Sequence, residues 1–193
     1  MANFGLSKPW IAKYVETTSG NTTTASYTDG FQCGRAVSTA ITPNYSDAEL
    51  YADNVQVEYV SEFKNANVTL GLDRLPVAAA TIVFGHTVDN TTGDSKGTET
   101  DKGADSAAYV GYGFITAEMV DGVKQYRACI LTKVKFIEGE ESFETKGDTI
   151  TFSTPSLSGK AMADCNDVWR IKSPYFTTEA AADGWIKTQL SIS

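Results

Sequence analysis

The sequence predicts a mainly β protein: a β-sandwich or barrel with one flanking helix and a second helix at its C-terminal end. Three observations predict it. Most apolar stretches alternate with a period of two or mix aromatic with β-branched residues. Two long runs of this kind, Tyr109 to Val120 and Val123 to Ile137, are joined by Asp121-Gly122, a strong hairpin signal. Only two segments carry helix signals, and many strands with few helices pack as sheets flanked by those helices.

In chain order, Trp10 to Glu16 reads as a strand that a polar run, Thr17 to Thr24, interrupts. Phe31 to Ile41 reads as the next, with Val37, Thr39 and Ile41 on one face and a stop at Pro43. Leu50-Tyr51-Ala52 and Val55 to Val60 flank Asp53-Asn54 as a small hairpin whose turn lacks the usual glycine. Asn67 to Leu72 alternates Val68, Leu70 and Leu72 against Asn67, Thr69 and Gly71, the pattern of a half-buried strand. Pro76 to Phe84 starts on a proline suited to the first helical position and ends at Gly85, which accepts a left-handed stop. Its apolar residues lie all round, so it is expected to be buried against the sheet. Thr87 to Asp105, rich in Asp, Thr and Gly, is expected to be an exposed, flexible loop. After the long hairpin, Thr149 to Leu157 alternates as a strand, and Val168 to Ile171 reads as a short one. Glu179 to Leu190 reads as a helix: Thr177 or Thr178 caps it, Glu179 complements the dipole, and Ala182, Ile186 and Leu190 line one face with Trp185 beside them. Interior Gly184 costs such a helix about 1 kcal/mol.

The 193 residues, with no internal repeat and no sharp change of composition, read as a single domain over 1–193. Lys plus Arg number 16 against 24 Asp plus Glu, a net charge of −8. That balance argues against a protein that grips a polyanion or an anionic lipid surface. No apolar run reaches the roughly 18–20 residues of a membrane helix, and the N-terminus lacks the basic and apolar segments of a signal peptide. Cys33, Cys129 and Cys165 are odd in number and form no CxxC pair, so they read as free thiols in a reducing cytoplasm. Four Asn-X-Ser/Thr triplets, starting at Asn21, Asn44, Asn67 and Asn90, are expected by chance in a chain this rich in Thr and Ser.

Catalytic chemistry finds little support. His86 is the only histidine, so any Ser-His or Cys-His mechanism must pass through it, and no Gly-X-Ser-X-Gly elbow exists. One histidine without paired cysteines also argues against a transition-metal site. Asp89, Asp94, Asp101 and Asp105 lack calcium-loop spacing and read as a solvated acidic loop. Glu138, Glu140, Glu141 and Glu144 read as solvated turn charges rather than a glycosidase pair, which must sit on rigid elements. Gly111-Tyr112-Gly113 lies in a strand and lacks the third glycine of a dinucleotide fingerprint, so a bulge or a close backbone approach is expected there. No catalytic residue, metal or cofactor is assigned.

The segment Asn44 to Phe63 is the candidate functional region. It is far longer than the connection of a plain hairpin. A functionless excursion of that length would be polar, yet this one holds Tyr45, Leu50, Tyr51, Val55, Val57, Tyr59 and Phe63. Projected as a two-stranded arm, it gains by burying those residues on a partner, and Tyr and Phe are enriched at interface centres. Two other readings stay open: the same aromatics complete the chain's own core, or they form a carbohydrate-binding face.

The sequence resembles the major tail proteins, or tail tube proteins, of long-tailed phages and prophages of Gram-positive bacteria. The resemblance rests on an ordered set of pieces. These include Gly5-Leu6-Ser7-Lys8-Pro9-Trp10, Asp29-Gly30-Phe31, Leu50-Tyr51-Ala52-Asp53-Asn54 and Val68-Thr69-Leu70-Gly71-Leu72-Asp73. Phe84-Gly85-His86, Val110 to Phe114, Lys133 to Phe136, Thr145 to Asp148 and the C-terminal helix continue it. It implies a β-sandwich or barrel of tail-tube type, in homo-hexameric rings stacked into a tube through which DNA leaves the virion. It also implies an acidic lumen, tape measure and tail terminator proteins as further partners, assembly in the bacterial host cytoplasm and residence in the virion tail. Stacking contacts in the family use the long loop corresponding to 44–63. The alternatives from other classes are a carbohydrate-binding β-sandwich module and a β-rich hydrolase.

Overall fold

A computed structural model of the chain describes residues 3–89, 91, 93, 96–138 and 154–192. The protein is mainly β: strands take 62% of the described residues and helices 11%, so the sheet and not the helices sets the architecture. The strands are β1 (Asn3–Ser19), β2 (Thr22–Gln32), β3 (Ala36–Ala52), β4 (Val55–Leu72), β5 (Thr87–Val88), β6 (Glu99–Thr100), β7 (Tyr109–Val120), β8 (Val123–Glu138), β9 (Ser156–Met162) and β10 (Arg170–Lys172). Helix α1 follows β4 with an α-wound turn, Val77–Ala79, that continues as a π-wound turn, Ala80–Phe84; helix α2 is Glu179–Gln189.

Eight strands form one antiparallel sheet in the order β2-β1-β7-β8-β9-β4-β3, with β10 also on β8. β8 is the shared spine. Its residues Cys129 to Leu131 pair with β10, its residues from Lys133 onward pair with β9, and β7 follows its other edge. The sheet folds over along this spine into two layers. β3 returns beside β1 without pairing to it, and the Tyr112 hydroxyl of β7 donates to Thr39 Oγ1 of β3 at 3.2 Å.

Period-two alternation then splits the apolar residues between two cores. Ile11, Leu70, Leu72, Tyr112, Leu131 and Phe136 fill the space between the layers, together with Ala79, Ala80, Val83 and Phe84 of α1. Their strand neighbours Ala12, Ile115 and Ile130 face the other way, onto Ala182 and Ile186 of α2 and Leu190 at its C-cap. The layer carrying α2 is thus buried on both faces, which is why β7 and β8 read as nearly continuous apolar runs. Each fully buried Ile or Leu in α2 contributes roughly 1.5–3 kcal/mol. The close approach expected at the glycines of β7 is present: a Cβ on Gly111 would lie 2.5 Å from the Tyr27 ring and 2.8 Å from Leu190.

α2 is capped by Thr178, whose Oγ1 accepts the Ala181 N–H at 3.3 Å. It is also tied to β1 by polar contacts. Asp183 accepts from Trp10 Nε1 at 2.8 Å and pairs with Lys8 at 3.1 Å and Lys187 at 3.6 Å, while Ser7 donates to Glu179 at 2.6 Å. A register shift between Ser7 and Trp10 turns Lys8 toward Asp183.

Several boundaries differ from the sequence reading. The polar run at Thr17 to Thr24 does not break β1; only Gly20 and Asn21 turn, and threonine suits both faces of an exposed hairpin. The expected strand from Phe31 to Ile41 is broken at Cys33-Gly34-Arg35, where Gly34 takes φ 61°. Pro43 does not end β3, because an edge strand has one side on which no N–H is required. Pro76 stands one residue before α1 instead of inside it, Val77 stays half exposed, and Gly85 supplies the left-handed stop at φ 82°. The segment 87–105 is not structureless: β5 pairs with β6 within it. The strand expected over 149–157 is described only from residue 154, and β9 starts at Ser156 and runs on to Met162. The strand expected at Val168 to Ile171 is β10, shifted to Arg170–Lys172.

Candidate functional site

β3 and β4 stay paired well past the rest of the sheet. β9 pairs with β4 no further than Ala66, so from Tyr45↔Phe63 to Ala52↔Val55 the two strands have only each other among the described residues. At about 3.3 Å per residue, the eight residues on β3 make an arm roughly 25 Å long. Asp53 and Asn54 close its tip at φ 52° and 64°, the left-handed pair of a two-residue hairpin turn, which Asp and Asn tolerate. The small hairpin read from the sequence is therefore the end of a longer one.

The root explains why the arm holds its shape. Between Asn44↔Asn65 and Tyr45↔Phe63 the register shifts and leaves Lys64 outside the ladder. Phe63 thereby lies against the body, stacked on Trp169 at 4.4 Å and 10°. Tyr45 meets Phe63 edge-on at 6.1 Å, and the Arg170 guanidinium lies 4.3 Å over the Trp169 ring. Phe63 is thus an anchor, the one residue of the seven singled out that behaves as core.

The other six project. Tyr45, Leu50, Tyr51, Val55, Val57 and Tyr59 are each more than half exposed. Cross-strand pairing sorts most of them onto two faces. Tyr45, Tyr51 and Tyr59 share one with Asp47 and Glu49; the Tyr51 hydroxyl donates to Glu49 at 2.7 Å and the Ser61 hydroxyl to Asp47 at 2.6 Å. Leu50, Val55 and Val60 share the other with Glu58 and Glu62. Val57 falls where the register shifts a second time. Residues 44–63 contain five acidic residues and no lysine or arginine. The sequence reading missed Val60, itself 45% exposed, and made no use of the arm's charge.

The arm is joined by two free strand edges, since β2 and β3 end the sheet and have no outer partner among the described residues. Exposed edges of this kind offer unpaired N–H and C=O groups to another chain.

The chemistry-bearing residues elsewhere do not build a catalytic constellation among the described residues. His86 is 7% exposed, and three carboxylates surround it. Its Nδ1 lies 2.9 Å from Glu99 and 2.9 Å from Asp101, and its Nε2 lies 3.7 Å from Glu138. Burial works to lower the imidazole pKa, but the Glu99 hydrogen bond and the charges of Asp101, Glu138 and Glu99 outweigh it and hold the group above the ordinary histidine value. One donor atom each from His86, Asp101 and Glu138 falls within 4.8 Å of the others, the spacing of a metal set. The carboxylates lie on both sides of the ring, however, which suits a charged imidazolium better than one shared ion. No sequence spacing announced this gathering, because three separate segments supply it. The remaining acids do not converge: Asp89 accepts the Thr91 N–H and Asp105 the Lys102 N–H, while Asp94, Glu140, Glu141 and Glu144 lie outside the described residues. Cys33 and Cys129 are buried and Cys165 is exposed. Burial pushes the first two thiols up to about 12 and about 11.

No helix among the described residues is long and apolar enough to cross a membrane. No protein-family model matches the sequence, and a search of curated proteins finds no match.

Proposed function

We propose that this chain is a structural subunit that assembles with copies of itself, and that the assembly is a phage tail tube of stacked hexameric rings through which DNA leaves. The observation that carries self-association is the arm: roughly 25 Å of isolated hairpin with apolar side chains on both faces. A two-stranded ribbon is marginally stable alone in water, and a monomer has no reason to keep such a surface wet. The free edges of β2 and β3 support the ring, because sheets of neighbouring subunits can continue through them around a closed lumen. The ordered resemblance to tail tube proteins supplies the tube, the virion tail, and the tape measure and terminator partners. It also assigns the arm to ring stacking.

A carbohydrate-binding module is the second reading, favoured by the row of Tyr45, Tyr51 and Tyr59 on one face of the arm. A sugar platform needs only that face. The aliphatic face carrying Leu50, Val55 and Val60 has no part in it, and that weighs for a protein partner.

Negative-stain imaging and sedimentation of the concentrated chain test the proposal, with Leu50→Ser plus Tyr51→Ser as the perturbation. Both residues are about 60% exposed, so the monomer is expected to melt within a few degrees of the wild type while rings or tubes disappear. A wild-type chain that stays monomeric at high concentration with tail completion factors present would overturn the proposal. So would a variant that assembles normally.

A further inference from the structure

Among the described residues, the layer opposite α2 carries an exposed groove whose chemistry is that of a receptor. Lys135 of β8 and Lys160 of β9 stand directly opposite each other in the ladder. Like charges in that relation destabilise a sheet unless something neutralises them. Lys133, two residues away, has its carboxylate, Glu16 at 2.7 Å. Lys135 and Lys160 have none within 4.0 Å among the described residues. Around them lies an open groove of about 560 Å³ with an apolar lining from Tyr109, Ile137 and Met162. Ile137 is 61% exposed and Tyr109 38%.

The complementary surface is on the same sequence. The aliphatic face of the arm presents Leu50 and Val60 flanked by Glu58 and Glu62. Neither glutamate has a hydrogen bond or ion pair among the described residues, whereas Asp47 and Glu49 on the tyrosine face are each engaged by a hydroxyl. The arm cannot reach its own groove. It extends the β3–β4 ladder away from the sheet, and the groove lies on the sheet side of its root, beside Asn67 to Thr69.

We propose that the groove at Lys135 and Lys160 is the landing site for the aliphatic face of the arm of a second copy. Leu50 and Val60 then cover Tyr109 and Ile137, and Glu58 and Glu62 neutralise the two lysines. This rests on the self-association reading and names its interface.

The test is a charge swap read by sedimentation and by zero-length carbodiimide cross-linking of mixed ¹⁴N and ¹⁵N chains. Lys135→Glu with Lys160→Glu, and separately Glu58→Lys with Glu62→Lys, are each expected to raise the concentration needed for assembly at least about tenfold, as attractions become repulsions. A chain carrying all four changes is expected to recover assembly. Wild-type assemblies are expected to give links between Lys135 or Lys160 of one isotope and Glu58 or Glu62 of the other. Tubes that form without those links, links from the lysines to carboxylates of their own chain, or a four-fold variant that stays impaired would each overturn the groove while leaving self-association standing. A wild-type chain that neither assembles nor cross-links would overturn both.

Discussion

Asp183 links α2 to the sheet, and changing it gives a prediction whose size follows from the contacts. The carboxylate is nearly buried, accepts the Trp10 indole N–H at 2.8 Å, and meets Lys8 and Lys187 at 3.1 and 3.6 Å. Burial works to raise its pKa, but the Trp10 hydrogen bond and the two ammonium groups outweigh that and hold it below the ordinary carboxylate value. Asp183→Asn keeps an acceptor for the indole and removes the charge. Part of a charged hydrogen bond is lost, along with two ion pairs whose lysines are about a third exposed and which contribute roughly 0.2–1 kcal/mol each, about 1.5 kcal/mol in all. At about 2–4 °C per kcal/mol for a chain of this size, the melting temperature is expected to fall about 3–6 °C at pH 7. Asp183→Ala also strands the indole N–H, and the loss is expected to reach about 3 kcal/mol. Because the folded pKa is depressed, the native carboxylate stabilises fully above its unfolded value and loses that contribution as pH falls through the folded one. The gap between wild type and Asp183→Asn is therefore expected to be constant from pH 7 to about 5 and to close below about 4. Urea melts followed by Trp fluorescence at four pH values measure this. A gap unchanged at pH 3, or an Ala variant no worse than Asn, would refute the reasoning.

Ile186→Ala, which empties a fully buried site between α2 and the sheet, is expected to cost about 2–5 kcal/mol by thermal melts. His86 is held above its ordinary value, so its contribution is complete below about pH 6.5 and lost as pH rises through the folded pKa. Wild type should thus lose stability relative to His86→Gln between pH 6 and 8.5 in urea titrations, and parallel curves would contradict the cluster. With native protein, a thiol reagent is expected to label Cys165 at once and Cys33 and Cys129 only on unfolding; rapid labelling of all three would refute their burial.

The elements legible in the sequence were those whose signal is local. The β7–β8 hairpin was read with its boundaries nearly intact because a two-residue Asp-Gly turn fixes both strand ends. α2 was read with its cap because Thr178, the first-turn Glu179 and the spacing of Ala182, Ile186 and Leu190 agree. The arm's tip was legible for the same reason. Its full length was not, because Pro43 carries a stop signal that an edge strand ignores, and no residue of β3 says which edge it will occupy.

By itself, then, the sequence determined period, punctuation and charge: which segments are extended, where the chain turns, and that residues 44–63 are apolar and acidic at once. Only the tertiary structure decided which of those residues are wet. Phe63 and Tyr59 have the same kind of side chain and neighbouring positions, yet one stacks on Trp169, more than a hundred residues away, and the other is 55% exposed. Nor could the sequence set Lys135 opposite Lys160, or gather three carboxylates around His86. Burial and pairing between distant segments depend on how the sheet folds over along β8, and that follows from the sum of all long-range contacts and not from any one stretch of chain.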